Sequence, residues 1–175
     1  ETLIAACIQM VSGKDVAENL KSAERGIARA ANQGANLIIL PEYFCIMGQH
    51  DTDKVAVAED YRASTPDAST PIQLFLQQQA MQHGIYLIGG TLPLKTADAD
   101  KVYNTTLVYA PDGAVVARYD KIHLFGFQNG LEYYDESTTI MAGELNQAPV
   151  VWDSRWGRIG LSIRDDVRSP ELYSA

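Results

Sequence analysis

Apolar and polar positions along the first part of the chain predict a strand, a helix and a second strand. The run LIAACIQM, Leu3–Met10, has the length of a buried strand. Residues 15–35 carry apolar side chains at helical spacing, and Gly34 is a suitable stop for that helix. The run NLIIL, closed by Pro41, is typical of a buried parallel strand.

The next segment, STPIQLFLQQQAMQHG, predicts a second helix with its start and stop signals in place. Thr70 is expected to cap it, Pro71 to occupy its first position and Gln73 to close a capping box. Gly84 ends this helix, and IYLIGG then predicts another strand.

The remainder of the chain reads mainly as strands. The segment YNTTLVYAPDGAVVARYD predicts a hairpin around Pro-Asp-Gly at 111–113. APVVW and RIGLSI predict two further strands, and Ser169-Pro170-Glu171 starts a last helix. Strands alternating with helices, followed by hairpins, predict a mixed sheet with helices packed on it, which is the α/β class. We find no linker or repeat, so we expect a single domain over residues 1–175.

Composition narrows the function classes. The chain has 175 residues, 46% of them apolar and 21% charged, as in ordinary globular proteins. A net charge of −8 with scattered basic residues argues against binding to nucleic acid or to an anionic membrane surface. No apolar stretch has the roughly 20 residues of a membrane span, and no signal peptide is visible. Cys7 and Cys45 form no disulfide framework, so the cytoplasm is the expected location. Cys7, inside the first predicted strand, is expected to be a core residue.

Four ionisable residues follow predicted strands or lie between them, where open α/β sheets build their sites. Glu42 follows the strand in LIILPEYF, Lys121 follows the hairpin, and Arg164 follows IGLSI. Glu136, in YYDESTTIMAG, lies between the last two. Each residue taken alone is more often a surface or turn residue. The three histidines lie far apart and have no paired cysteines, so no metal site is predicted.

Taken together, these stretches resemble the nitrilase superfamily of carbon–nitrogen hydrolases. The motifs are LIILPEYF, YDKIHLF, DES…AG and GRIGLSI..DVR.PEL, and the resemblance runs over the whole chain. It is closest to the Nit-type amidase branch, which includes ω-amidases and deaminated-glutathione amidases. The resemblance implies an α-β-β-α sandwich, here incomplete at its C-terminus because the last helix is barely begun. It also implies a homodimer or higher homo-oligomer that acts on a small-molecule amide or carboxylate without a cofactor.

The resemblance also implies a role for each site residue. Glu42 would be the general base, and Glu136 would position that base and the substrate amide. Lys121 and the backbone N–H of Asp165 would stabilise the oxyanion. The family reaction cleaves a small linear amide to acid and ammonia through a thioester on the elbow residue.

This chain departs from the family pattern at the elbow itself. The family sequence there is Cys-Tyr-Asp, whereas this chain has Arg164-Asp165-Asp166. A guanidinium stays protonated at any usable pH and cannot attack a carbonyl carbon. We therefore expect this chain, as written, not to hydrolyse amides through a thioester. Arg164 is expected to pair instead with Glu42 or Glu136.

Three alternatives stay open at this point. The first is a pseudoenzyme or regulatory subunit that binds a small carboxylate or carboxamide through Arg164 and the other site residues. The second is a hydrolase that uses the carboxylates of Glu42 and Glu136 without a thiol. The third uses Cys45, three residues beyond Glu42, as the nucleophile, but Cys45 lacks the N–H that an elbow provides.

Overall fold

A six-stranded mixed sheet organises the molecule, whose computed structural model describes residues 1–147 and 149–174. Its strands are β1 Ala5–Cys7, β2 Leu37–Ile39, β3 Tyr86–Ile88, β4 Leu92–Lys95, β5 Val102–Tyr109 and β6 Val115–Asp120. The spatial order is β1-β2-β3-β5-β4, with β6 on the other side of β5. The first three strands are parallel, and β5 runs antiparallel to β3, β4 and β6.

Helices and two separate hairpins complete the described structure. The helices are α1 Val16–Asn32, α2 Asp53–Ala56, α3 Pro71–His83 and α4 Glu171–Ser174. The hairpins pair β7 Gly126–Asn129 with β8 Glu132–Asp135, and β9 Val151–Ser154 with β10 Gly157–Gly160. Short 3-10 turns cover Glu136–Thr138, Leu145–Gln147 and Arg164–Arg168. The predicted α/β class is confirmed.

The central strand β2 is buried on both faces, and this explains its uninterrupted apolar sequence. Ile38 belongs to the apolar cluster formed with helices α1 and α3, where Ile27 and Leu76 pack. Leu37 belongs to a second cluster on the opposite face, which contains Trp152 of the β9–β10 hairpin. Because successive strand side chains point to opposite faces, two neighbouring residues serve two cores.

The edge strand β1 is covered less completely than its sequence suggests. Ala6 packs against the helix-side core, whereas Ala5 and Cys7 are exposed. The expectation that Cys7 is a core residue is therefore wrong. Its side chain points to the face of β1 that no described segment covers, because alternate residues of a strand face opposite sides.

Helix α3 begins at the predicted residue, but a distant carboxylate caps it instead of Thr70. The backbone N–H groups of Ile72 and Gln73 donate to Glu59 at 2.6 and 3.1 Å. The Gln73 amide also donates to Glu59, at 3.1 Å, so the predicted capping box does not form. The Thr70 hydroxyl bonds to the backbone of Asp67. Burial raises the pKa of Glu59, and the three hydrogen bonds oppose that shift.

Two strands have different bounds in the structure from those predicted. The run RIGLSI is a strand only as far as Gly160, because the chain then turns into the 3-10 segment at Arg164. The predicted strand APVVW begins at Ala148, which lies outside the described residues, and β9 begins at Val151. Among the helices of residues 1–147 and 149–174, none has both the length and the apolarity needed to cross a membrane.

The buried cap on α3 generates a stability prediction. Replacing Glu59 with Ala leaves the Ile72 and Gln73 N–H groups buried without an acceptor, and we expect the free energy of unfolding to fall by about 2–3 kcal/mol. The matched control is Glu24→Ala, at an exposed position of α1, with an expected change within about 0.5 kcal/mol. Urea unfolding followed by circular dichroism measures both, and equal effects would contradict the assignment of Glu59 as the cap.

Candidate active site

The strand ends bring the predicted site residues together. Glu42 lies three residues past β2, Lys121 follows β6 directly, and Glu136 begins the 3-10 turn after β8. Arg164 and Asp165 begin the 3-10 turn that follows the β9–β10 hairpin. Strands of the main sheet and the two separate hairpins thus deliver four segments of the chain to a single cluster of charges.

A completely buried lysine forms the centre of this cluster. The ammonium nitrogen of Lys121 lies 3.0 and 3.2 Å from the two carboxylate oxygens of Glu136. It also lies 3.8 Å from Glu42 and 3.9 Å from Asp165. An ammonium shielded from water requires compensating negative charge, and three carboxylates supply it here.

Hydrogen bonds to both its side chain and its backbone hold Glu136 in place. It is buried, and its Oε2 accepts a 2.7 Å hydrogen bond from the backbone N–H of Phe125. The Glu136 N–H donates in turn to the Phe125 carbonyl at 2.9 Å. Asp135 caps the turn by accepting from the Ser137 N–H at 2.9 Å. The turn therefore fixes Glu136 against Lys121.

Glu42 is the more open carboxylate, with 23% of its side chain exposed. It accepts a 2.9 Å hydrogen bond from the amide of Asn104 on β5. Asn104 was missed in the sequence analysis, although an Asn inside the apolar strand run YNTTLV was a usable signal, because Asn is depleted in strands. The Asn104 carbonyl also accepts from the Lys121 N–H at 2.9 Å. One residue of β5 therefore positions both the carboxylate and the cation.

The elbow residue has a strained backbone. Arg164 has φ +47°, a left-handed conformation that is rare outside glycine and is typical of functional turns. Its side chain is 65% exposed, with nitrogens 3.9 Å from Glu42 and 4.0 Å from Asp165. Of the two predicted pairings, the structure contains the one with Glu42, whereas Glu136 is paired with Lys121. Arg164 thus lies at the edge of the site and is only loosely paired.

A buried carboxylate next to the elbow holds the turn in place. Asp166 accepts hydrogen bonds from the Tyr119 hydroxyl at 2.5 Å, from the Ile163 N–H at 3.0 Å and from the His123 N–H at 2.9 Å. The His123 Nδ1 also lies 2.9 Å from Asp166. Burial and the bond to Asp166 raise the pKa of Tyr119. His123 therefore supports the elbow.

Asp165 adds a charge that is incompletely neutralised. Its Oδ2 is buried and has no hydrogen-bond partner among the described residues. The nearest cations are Lys121, at 3.9 Å, and Arg168, whose Nη1 lies 3.6 Å from the other oxygen. The side chain thus points a carboxylate at the same ammonium that Glu136 binds.

The elbow also forms one wall of a cavity of about 370 Å³. Glu42 and Arg164 line it, and Ile39, Ile88 and Leu161 supply apolar walls. This volume is within the range of small-molecule sites. The cavity combines apolar surface with a few charged groups, as such sites usually do.

Neither the Cys45 thiol nor a metal ion fits the charged cluster well. Cys45 is fully buried, and burial raises its pKa, so that its thiolate is disfavoured. Glu42, Glu136 and Asp165 surround the Lys121 ammonium. This ammonium already occupies the position that a metal cation would take among these carboxylates. Within the described ranges, no group of three or more His, Cys, Asp or Glu side chains is arranged to hold a metal ion.

Comparison with known proteins identifies one family. A family model described as carbon-nitrogen hydrolase matches residues 4–175. The deaminated glutathione amidase of Synechocystis is 40% identical over 97% of this chain and 60% of its own length. The omega-amidase NIT2 of Mus musculus is 35% identical over 98% of this chain and 58% of its own. The chain thus spans about three-fifths of the length of these curated relatives.

Solved structures agree with this comparison. The NitFhit protein of C. elegans superposes with a TM-score of 0.77 and 32% identity, over 96% of this chain and 39% of its own. Nit3 of Saccharomyces cerevisiae, described as a member of branch 10 of the nitrilase superfamily, gives 0.78 and 28% over 96% and 57%. The mixed α/β arrangement is therefore that of nitrilase-superfamily structures.

The buried ion cluster generates a second prediction. Lys121→Met leaves Glu136 buried without its counter-charge, and we expect it to lower the free energy of unfolding by about 3–5 kcal/mol. Adding Glu136→Gln should recover a large part of that loss, since the orphaned charge is then removed. Lys95→Met, at an exposed ion pair, is the control, with an expected loss below about 1 kcal/mol. Additive losses in the double variant, measured by urea unfolding, would contradict the pairing.

Proposed function

Because the chain belongs to the carbon–nitrogen hydrolase family, we propose that its site is an amide-hydrolysing site with an arginine at the nucleophile position. The strained elbow carries this proposal, since a guanidinium nitrogen of Arg164 lies 3.9 Å from the Glu42 carboxylate, which itself lies 3.8 Å from the buried Lys121 ammonium. A base, a cation and an exposed elbow residue are the three parts that acyl transfer from nitrogen requires.

The chemistry follows from these positions when a cysteine stands at 164. Glu42 takes the thiol proton, sulfur attacks the amide carbon, and the oxyanion forms facing Lys121 and the Asp165 N–H. The C–N bond then breaks, ammonia leaves with the proton from Glu42, and a thioester stays on sulfur. Water adds with its proton passing to Glu42, the C–S bond breaks, and the sulfur recovers that proton from Glu42 as the acid is released.

With Arg164 in place, the first of these steps fails. The guanidinium has no free electron pair at usable pH, so no covalent bond to carbon forms. Asp165 opposes the reaction as well, because its carboxylate points at the Lys121 ammonium on which the oxyanion depends. We therefore infer that the chain with Arg164 has no amidase activity.

The substrate class is taken from the relatives. One is named for deaminated glutathione and others for omega-amidase activity. These names support a small linear amide that yields an acid and ammonia.

The loosely paired Arg164 favours a second candidate function. Its contacts with acids are 3.9 and 4.0 Å long, so most of its N–H donors are not used by the protein. A guanidinium with free donors binds a carboxylate well. The chain would then act as a pseudoenzyme or regulatory subunit that binds a small carboxylate or carboxamide.

The carboxylate-pair alternative has less support. Both oxygens of Glu136 lie on Lys121, and one also accepts from Phe125, so neither is free to activate water. Cys45 has less support as well, since its thiol is completely buried.

Assembly and location stay predictions. We propose a homodimer or higher homo-oligomer in the cytoplasm, from the family resemblance and the cysteine content. Light scattering after size-exclusion chromatography measures the oligomeric state directly.

Restoring the nucleophile tests the main proposal. We expect no ammonia release from the monoamide of glutaric acid by the chain as written, and release by Arg164→Cys. Adding Asp165→Asn should raise kcat by about tenfold or more, because the repulsion of the oxyanion is removed. Iodoacetamide should abolish both activities. The parent chain is the control for Cys45, which all three proteins share, and a folded but silent double variant would contradict the proposal.

Calorimetry tests the second candidate. We expect the chain as written to bind glutarate with measurable heat, and Arg164→Gln to weaken that binding by about tenfold or more, since charge-assisted hydrogen bonds are lost. Arg158→Gln, at an exposed ion pair on β10, is the matched control and should bind unchanged. Binding that ignores Arg164 would overturn this candidate.

A further inference from the structure

The completely buried carboxylate of Asp166 joins two segments of the chain that meet at the elbow. Its Oδ1 accepts from the backbone N–H and from the Nδ1 of His123, each at 2.9 Å. Its Oδ2 accepts from the Tyr119 hydroxyl at 2.5 Å and from the Ile163 N–H at 3.0 Å. Tyr119 and His123 belong to the end of β6 and the residues after it, whereas Ile163 precedes the elbow turn. One side chain therefore connects the end of β6 to the elbow.

Lys121 lies midway between two of these anchors. Tyr119 precedes it by two residues, and His123 follows it by two. Both side chains reach Asp166, so the backbone on either side of Lys121 is anchored to the same carboxylate. The position of Lys121 relative to the elbow is therefore constrained through Asp166.

On the elbow, the same carboxylate brackets Arg164 and Asp165. The Ile163 N–H donates to the Asp166 side chain, and the Asp166 N–H donates to the Ile163 carbonyl at 3.1 Å. These two bonds close a short ring around the residues between them, and Arg164 has φ +47° inside it. The ring leaves the enclosed backbone little freedom, so it also fixes the direction of the Asp165 N–H.

Hydrogen bonds, and not a lysine or an arginine, compensate the buried charge of Asp166. Over residues 1–147 and 149–174, the ion pairs of Asp166 include only the one with His123. A carboxylate accepts and does not donate, so the Nδ1 of His123 carries a proton in this pair. The closed arrangement loses stability when any donor is removed, because the carboxylate is then buried with less compensation. When the elbow opens, water reaches Asp166 and its bonds are lost together.

We propose that Asp166 is a positioning residue that sets the distance between two oxyanion donors, the Lys121 ammonium and the Asp165 N–H. One donor lies on each of the two segments that Asp166 joins. Tyr119 and His123 take part by anchoring the segment of Lys121. The inference rests on the proposed function, because it takes these two groups to be the oxyanion donors. Asp166 acts through the backbone and not on the substrate.

Variants that each delete one donor test this link. Tyr119→Phe removes only a hydroxyl, and His123→Leu removes the ring donor but keeps the backbone N–H. Asp166→Ala is less suitable, since it leaves several donors without an acceptor at once. Tyr133→Phe is the matched control, because it deletes the hydroxyl of an exposed tyrosine that also bonds to a carboxylate, that of Asp135, at 3.0 Å.

Native-state hydrogen exchange, followed by NMR, measures the link in the chain as written. Tyr119→Phe should accelerate exchange of the Ile163 and His123 amides together, by about tenfold, although the deleted hydroxyl bonds to neither amide. The reason is that the closed elbow loses one charge-assisted hydrogen bond relative to the open one. Amides of the β7–β8 hairpin should exchange as in the parent, and Tyr133→Phe should leave the Ile163 and His123 amides unchanged.

A split between kcat and KM separates positioning from a general loss of stability. In the Arg164→Cys, Asp165→Asn chain, Tyr119→Phe should lower kcat for the monoamide of glutaric acid by about threefold to tenfold, because misplaced donors stabilise the oxyanion less. KM should stay within about twofold, since the donors act mainly in the transition state. His123→Leu should have the same effect, and Tyr133→Phe should change neither constant. Each assay is run well below the melting temperature of the variant.

The outcomes for the two proposals are distinguishable. Faster exchange at Ile163 and His123, without ammonia release by the Arg164→Cys, Asp165→Asn chain, supports the link through Asp166 and rejects the proposed function. Ammonia release that is indifferent to Tyr119→Phe and His123→Leu retains the proposed function and rejects the positioning role. Unchanged exchange at Ile163, or a loss that lies in KM instead of kcat, would overturn the inference.

Discussion

The ammonium of Lys121 is completely shielded from water, and the arrangement of the site follows from the need to compensate that charge. The backbone fixes its position, since the Lys121 N–H donates to Asn104 and its carbonyl accepts from Gly143, each at 2.9 Å. Glu136 and Glu42 must then approach from segments far apart in the sequence. The buried cation thus ties the strand ends of the main sheet to the turn after the β7–β8 hairpin.

The elbow depends on a different set of bonds. Asp166 holds the turn through the Ile163 N–H and through Tyr119 and His123, and none of these bonds involves the side chain at 164. Arg164 itself is mostly exposed. The strained turn can therefore persist whichever side chain occupies the elbow, because its geometry is enforced from the neighbouring residue. Backbone shape and chemical competence are separable at this position.

Periodicity and turn chemistry predicted much of the fold. The helix ending near Gly34, the buried strand β2 and the hairpin at 111–113 are all present, since each depends on local sequence. The cap on α3 was not predictable from local sequence, because Glu59 lies more than ten residues before the N–H groups it accepts. The exposure of Cys7 was missed for a related reason, since strand length does not reveal which face is covered.

In the candidate site, too, the features that depend on local sequence were predicted and those that depend on contacts between distant segments were not. Strand-end placement indicated Glu42 and Lys121, because loops at the ends of sheet strands collect polar residues. Asn104 and the approach of Asp165 to Lys121 required the structure, since both depend on contacts between segments. The β7–β8 hairpin was also missed, because its strands are largely exposed and carry no clear apolar alternation.

The two departures at the elbow are linked by their charges. A cysteine thiol and a tyrosine together carry no net charge, and neither do Arg164 and Asp165, whose side chains lie 4.0 Å apart. A lone aspartate beside the buried cluster would add a negative charge to a region where Glu42 and Glu136 already outnumber Lys121. A lone arginine would add a positive charge beside Glu42 and compete with Lys121 for that carboxylate. The pair therefore keeps the electrostatic balance on which the buried ammonium depends, although it removes the group that could attack carbon.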